Sequence, residues 1–300
     1  MKVGIVYQNN TAEADISKKT AEGIFHTVKN LGFQAHLIIF GEHFVQEVQH
    51  MDVIFIAMHG KYGEDGYIQT VLNAIQKPYT HSGVNASQIG MNKMITNLYA
   101  QSCDIPVLVN QAITKQNLLE DKYQITHKSV IKPVNGGSSI ATFILKEGER
   151  LTSRQKEEIL HYTDSNLFMI EDFFKGTEVC VGILNNKVIG TCSTLPQEEF
   201  YTYHAKYLSN QTTYHVPANI TPSLAQKLQS DAIKLHNAIG AHNISRVDFI
   251  CNKNNYRLLE INTHPGMTTT SLMPKICSQC NITYQDTIQT LLQTAKYEKI

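Results

Sequence analysis

Two apolar runs near the C-terminus, residues 244–251 and 256–261, are joined by the polar stretch 252–255, whose composition suits a tight turn. This hairpin constrains the chain more than any other feature, because its polar side chains recur at alternate positions. Arg246 and Asp248 are two apart, as are Glu260 and Asn262. Alternate residues of a strand share a face, so the hairpin can bring four polar groups together. A solvated sheet face would account for such a pattern by itself. The continuation argues otherwise: Asn262-Thr263-His264-Pro265-Gly266-Met267-Thr268 requires a tight turn and exposes backbone amides beside the polar face. Such a turn can hold an oxyanion, and Asp248, Glu260 and Asn262 offer the hard oxygen ligands that Mg²⁺ takes.

The rest of the chain reads as several modules, as its 300 residues allow. An apolar run at 3–7, a helical pattern through Ile16, Ile24, Val28 and Leu31, and apolar runs at 37–40 and 53–58 predict a βαβ unit. Its strand-end loops, 8–17 and 59–66, lie where open parallel sheets place ligands. Pro78, Ser82 and Gly83 mark a boundary before a helix starting near Asn92. Beyond it, strands at 129–133, near 145 and at 167–170, with a helix at 153–161, form an α+β pattern. Paired strands at 179–184 and 188–191 precede a polar interval, 196–217, whose length and tyrosines read as a mobile lid. A helix over 221–240 has Pro222 at its start and Gly240 at its end.

Charge and cysteine usage exclude several function classes. With 26 Lys+Arg against 26 Asp+Glu, the global field gives no reason to expect a nucleic acid or an anionic membrane as partner. The N-terminal run lacks the features of a signal peptide and no apolar run is long enough to span a bilayer, so cytoplasmic residence is expected. The six cysteines are scattered and expected to be reduced. Cys277 and Cys280 form a C-x-x-C without a second pair at zinc spacing or a thioredoxin-like context.

Several motifs in register resemble the D-alanine:D-alanine ligase family across essentially the whole chain. They are Arg246-Val247-Asp248, Leu259-Glu260-Ile261-Asn262-Thr263, Pro265-Gly266-Met267-Thr268 and Ser271-Leu272, and upstream His59-Gly60, Gly63-Glu64-Asp65-Gly66, Ser82-Gly83-Val84, Lys132-Pro133, Gly137-Ser138-Ser139 and Ala205-Lys206-Tyr207-Leu208-Ser209. The resemblance implies an ATP-grasp fold, mixed α/β and α+β, with an N-terminal Rossmann-like (pre-ATP-grasp) domain. Its expected units are 1–88, 89–176 and 177–300, the last carrying the lid 196–217. It implies ATP- and Mg²⁺-dependent joining of two D-alanines through a D-alanyl phosphate, for peptidoglycan precursor synthesis. Two metal ions, Mn²⁺ as a substitute and a homodimer are also expected from it.

Residue roles follow from the same resemblance. Lys93 and Lys132 face the nucleotide phosphates, and Glu171 and Glu178 the adenine and ribose. Ser138, Glu13 and Tyr207 form a hydrogen-bonded triad, in which Glu13 also anchors the first ammonium, and Lys206 contacts the reactive phosphate. Arg246 and the Gly266 amide hold the oxyanion, Ser271 and the Leu272 amide the second carboxylate, and His59 helps orient the centre. Asp248, Glu260 and Asn262 are the metal ligands. The chain departs from the family pattern at Gln8-Asn9, where Gly-Gly is usual, at Asn135-Gly136-Gly137 in place of Arg-Glu-Gly, and at His204 in place of an acidic residue. Rival readings are an ATP-grasp ligase for a different amino-acid pair and a nucleotide-binding regulator without turnover.

Overall fold

The computed structural model describes residues 1–9, 13–137, 139–195, 213–253, 255–268 and 270–298. Among them, three sheets carry the architecture. In the first, β1 (Lys2–Tyr7), β2 (Gln34–Ile39) and β3 (Val53–Ile56) run parallel in the order β2-β1-β3. The helix Ala14–Asn30 covers one face with Ser17, Ala21, Ile24 and Val28, whose spacing of four, three and four keeps them on one stripe. On the opposite face Val6, Ile54 and Ile56 pack with Phe44, Val48 and Leu72.

The second sheet is antiparallel. It contains β4 (Asn110–Thr114), β5 (Ser129–Pro133), β6 (Phe143–Leu145) and β7 (Leu167–Asp172) in the order β4-β7-β5-β6. The helix Ser153–His161 starts at a capping box in which Thr152 and Gln155 satisfy each other's backbone amides.

The third sheet, also antiparallel, has the order β10-β9-β8-β11-β12. Its strands are β8 (Thr177–Leu184), β9 (Lys187–Leu195), β10 (Thr213–His215), β11 (Ser245–Asn252) and β12 (Asn255–Asn262). β11 keeps the alternation expected of it: Val247, Phe249 and Cys251 are buried against the helix Pro222–Ala238, while Arg246, Asp248 and Ile250 face the other way. That helix begins where expected, with Thr221 accepting from the Leu224 amide and Pro222 in the first turn.

β12 does not alternate strictly. Asp248 opposes Glu260, but Phe249 opposes Leu258, so Leu259 is an extra residue in a β-bulge. The bulge lets Tyr256, Leu258 and Ile261 enter the core while Glu260 and Asn262 stay on the face of Asp248 and Arg246. β9 extends beyond the expected 188–191, and Thr213–His215 pairs with its far end. Thr191 ends the expected strand and Ser193 lies beyond it, yet both are buried, with their hydroxyls accepting from the Ala218 and Asn219 amides at 3.2 Å.

The first and third sheets share a core. Ile24, Phe55, Ile288 and Leu291 belong to one apolar cluster with Cys180, Cys192, Met273 and Ile276. The helix Leu272–Gln279 approaches the third sheet so closely that a Cβ on Gly182 or Gly190 would come within 3.1 Å of Ile276. The helices Val84–Met91 and Lys93–Ser102, separated at Asn92, pack Ala86 and Ala100 with Leu258 and Ile261. Among the described residues, no helix is long and apolar enough to cross a membrane.

Candidate active site

Two cavities meet over the β11–β12 hairpin. The larger, about 330 Å³, lies between the second and third sheets. The smaller, about 130 Å³, lies between the hairpin, the loop after β3 and the segment entering the helix Ala14–Asn30. Gly137, Glu178, Thr194, Asp248 and Glu260 wall both. The polar face of the hairpin is therefore the partition between them.

Lys93, Lys132, Glu171 and Glu178 all line the larger cavity. Lys132 pairs with Glu171 at 2.6 Å, and both are almost fully buried. Lys93 donates to the Gly136 carbonyl at 2.5 Å and lies 3.6 Å from Glu260, tying the loop after β5 to the hairpin. The remaining wall includes Leu108, Val130, Ile140, Ile250 and Leu259, and the crossing from β7 to β8 through Phe173 and Phe174. A slot with apolar walls and buried ammonium groups on one side suits a flat aromatic base joined to phosphates.

Glu13, His59, Arg246, Asn262, Gly266, Ser271 and Leu272 line the smaller cavity. Glu13 precedes the helix Ala14–Asn30, and its carboxylate lies directly against Gly60, whose φ is +65°. A side chain at position 60 would be strained and would occupy the place of the carboxylate. Gln8, one of the departures, ties the same corner together: its amide nitrogen donates to the His59 carbonyl at 2.5 Å. His59 meets the Thr20 hydroxyl at 3.0 Å and Glu64 at 3.4 Å.

Arg246 grips Asp248 through Nε at 2.8 Å and Nη2 at 2.7 Å. Burial opposes the guanidinium charge, but the charge of Asp248 and its hydrogen bonds outweigh that, so Arg246 holds its proton more tightly than usual. Gly266 lies so near Ser271 that a Cβ there would be 3.0 Å from the hydroxyl. Ser271 occupies the N-cap position of the helix Leu272–Gln279 without a side-chain capping bond, and that N-terminus favours an anion in this cavity. The turn is braced from behind, where His264 stacks on His81 with ring centroids 4.5 Å apart. Burial first, and neighbouring histidines second, depress both rings, His81 to about 3.

The oxygen set fits a hard divalent cation. Asp248 and Glu260 are directly opposite partners, with Asn262 two residues on, and Asn262 Oδ1 accepts from the His264 amide at 2.9 Å. Opposed carboxylates repel unless a cation lies between or beside them, and here Arg246 and Lys93 supply that charge. Among the described residues, no three His, Cys, Asp or Glu side chains form an all-protein cage. Mg²⁺ needs none, since it uses one or two carboxylates and completes its shell with water and phosphate.

The structure thus brings Glu13, His59, Arg246, Gly266, Ser271, Leu272, Asp248, Glu260 and Asn262 to one cavity, and Lys93, Lys132, Glu171 and Glu178 to the other. Ser138, Lys206 and Tyr207 lie outside the described residues, as does position 204. Sequence reasoning missed the apolar wall, the wall residue Thr194 and the Lys132–Glu171 pairing. Ile250 was within reach, because it continues the alternation of Arg246 and Asp248.

Two α+β units closing on a nucleotide-sized slot, with an α/β unit beside them, make this an ATP-grasp fold. A crystal structure of D-alanine–D-alanine ligase from Bacillus anthracis complexed with ATP superposes with a TM-score of 0.83 at 25% identity, covering 98% of this chain and 96% of that one. The ligase from Coxiella burnetii shares the fold at a TM-score of 0.77 and 21% identity, covering 98% and 95%. The family model for the D-ala D-ala ligase C-terminus matches residues 99–293, and that for the N-terminus residues 36–82. Relatives named D-alanine–D-alanine ligase include those of Anaeromyxobacter sp., 32% identical over 98% of this chain and 96% of that protein, and Haemophilus influenzae, 33% identical over 94% and 97%. The chain belongs to the D-alanine–D-alanine ligase family.

Proposed function

We infer that this chain joins two D-alanine molecules into D-alanyl-D-alanine, with ATP and Mg²⁺, through a D-alanyl phosphate, and so supplies peptidoglycan precursor synthesis. The observation that carries the reading is the partition: a nucleotide slot and an amino-acid-sized cavity meet at Asp248 and Glu260. Two reactants held on either side of one wall react without the entropy cost of meeting in solution.

ATP takes the larger cavity, with its base among the apolar residues near Glu171 and Glu178 and its phosphates toward Lys93 and Lys132. Asp248, Glu260 and Asn262 hold the divalent cation, which when bound offsets the charge of the transferring phosphoryl group. Glu13 takes the ammonium of the first D-alanine, leaving its carboxylate to attack the γ-phosphorus as the bond to the β-phosphate oxygen breaks and ADP leaves. Ser271 and the Leu272 amide take the carboxylate of the second, at a helix N-terminus. Its amine attacks the acyl phosphate carbonyl, Arg246 and the Gly266 amide hold the oxyanion, and phosphate leaves. Ser138, Tyr207 and Lys206 complete this scheme as the triad partners of Glu13 and the phosphate contact. The proposed domains are 1–88, 89–176 and 177–300 with the lid 196–217, of which residues 196–212 lie outside the described ones. A cytoplasmic homodimer completes the proposal.

Purified protein with ATP and Mg²⁺, offered a panel of D- and L-amino acids, tests the reading through phosphate release and the product mass. D-alanine alone should give ADP, phosphate and D-alanyl-D-alanine. Turnover restricted to another amino-acid pair, or binding without turnover, would transfer the chain to one of the rival readings.

A further inference from the structure

The motif that first draws attention among the cysteines, Cys277 and Cys280, is not a working dithiol. The two are three residues apart at the end of a helix, Cys277 is buried, and Cys280 is turned out to the Ile189 carbonyl at 2.7 Å. A different pair, 12 residues apart in sequence, is brought together by the sheet. Cys180 on β8 and Cys192 on β9 are direct cross-strand partners, both free and buried, and the Cys192 thiol donates to the Ser193 carbonyl at 3.7 Å.

The position of this pair matters more than its proximity. Cys180 also opposes Asp248 on β11, and Asp248 opposes Glu260 on β12. Opposed residues share a face, so Cys192, Cys180, Asp248 and Glu260 form one row across four strands. On one side of the row the helix Leu272–Gln279 seals the core against Gly182 and Gly190. On the other side the smaller cavity begins, and Cys180 is part of its wall. A small polar oxidant in that cavity therefore meets Cys180 first and finds Cys192 behind it.

We propose that Cys180 and Cys192 are a modification site, a cross-strand dithiol that hydrogen peroxide converts to a disulfide and thereby inactivates the adjoining active site. The Cys180 sulfur attacks peroxide, the O–O bond breaks, and a sulfenic acid and one water form. The Cys192 sulfur then attacks the sulfenic sulfur, the S–S bond forms, and a second water leaves. Two thiols and one peroxide thus become one disulfide and two waters. Directly opposed Cβ atoms lie about 4.5–5.5 Å apart, whereas a disulfide needs about 3.5–4.5 Å, so oxidation draws β8 toward β9. Cys180 is the neighbour of Asp248 in the row, so the shift reaches the carboxylates that part the two cavities.

Full-length protein treated with peroxide, alkylated, digested without reduction and mapped by mass tests the proposal. The expected result is a cross-linked peptide pair joining Cys180 and Cys192, lighter by two hydrogens, with ATP turnover lost in proportion and restored by dithiothreitol. Cys192→Ser should retain basal turnover and yield no cross-link, and Cys280→Ser should cross-link as the parent does. Alkylatable thiols at 180 and 192 after Cys280 has been oxidised would overturn the assignment. So would a full cross-link that leaves turnover unchanged. The cross-link is read by mass alone, so a failure of the ligase reading would not be mistaken for a failure of this one.

Discussion

The two cavities differ in how they are built. The larger is formed by two antiparallel sheets that each carry part of their own charge balance, as the Lys132–Glu171 pair shows within the second sheet. The smaller depends on segments far apart in sequence: Glu13 and Gly60 from the N-terminal unit, and Arg246, Gly266 and Ser271 from the C-terminal one. A slot of the first kind carries its Lys132–Glu171 pair before any ligand binds and suits generic nucleotide binding. A cavity of the second kind couples geometry to packing between units and suits selection and chemistry.

Substitutions should separate the two accordingly. Arg246→Ala removes the proposed oxyanion donor and leaves Asp248 without its counterion, so kcat should fall roughly a hundredfold to a thousandfold while nucleotide affinity changes little. Steady-state kinetics alongside nucleotide titration would show it, and equal losses in both would erase the distinction drawn here. Lys132→Met should act the opposite way, raising KM for ATP and destabilising the fold by about 3 kcal/mol, because Glu171 is left buried and unpaired. Adding Glu171→Gln should recover part of that stability in urea melts.

Gly60→Ala should raise KM for the first D-alanine by roughly tenfold, since it forces the Glu13 carboxylate aside, with ATP affinity preserved. A further effect concerns pH. Burial holds His81 at about 3 and His236 at about 4, from 6.5 in the unfolded chain, so below pH 6.5 the unfolded state binds the extra protons. Stability from these rings is complete above 6.5 and is lost as pH falls toward those values. Urea midpoints should drop between pH 7 and 5, and His81→Gln should flatten the slope.

The hairpin was legible because strand alternation is strict in β11: Arg246, Asp248 and Ile250 share a face by chemistry alone. The bulge at Leu259 was not, since it answers to the core demands of Leu258 and Ile261, which depend on a helix elsewhere in the chain. The start of the helix Pro222–Ala238 could be read from Thr221 and Pro222, a local signal. The extent of β9 beyond Thr191 could not, because the burial of Ser193 rests on an amide 26 residues away. At the site, residue types and motif order pointed to both groups of side chains. Pairings such as Lys132 with Glu171, and the contact of Glu13 with Gly60, exist only once strands and loops have met.

The central claim is that a carboxylate oxygen of the first amino acid reaches the γ-phosphorus across the wall of Asp248 and Glu260. D-alanine labelled with ¹⁸O in its carboxylate, turned over with unlabelled ATP, tests it directly. The released phosphate should carry one labelled oxygen for each dipeptide formed. Phosphate free of label, with dipeptide accumulating, would contradict the account.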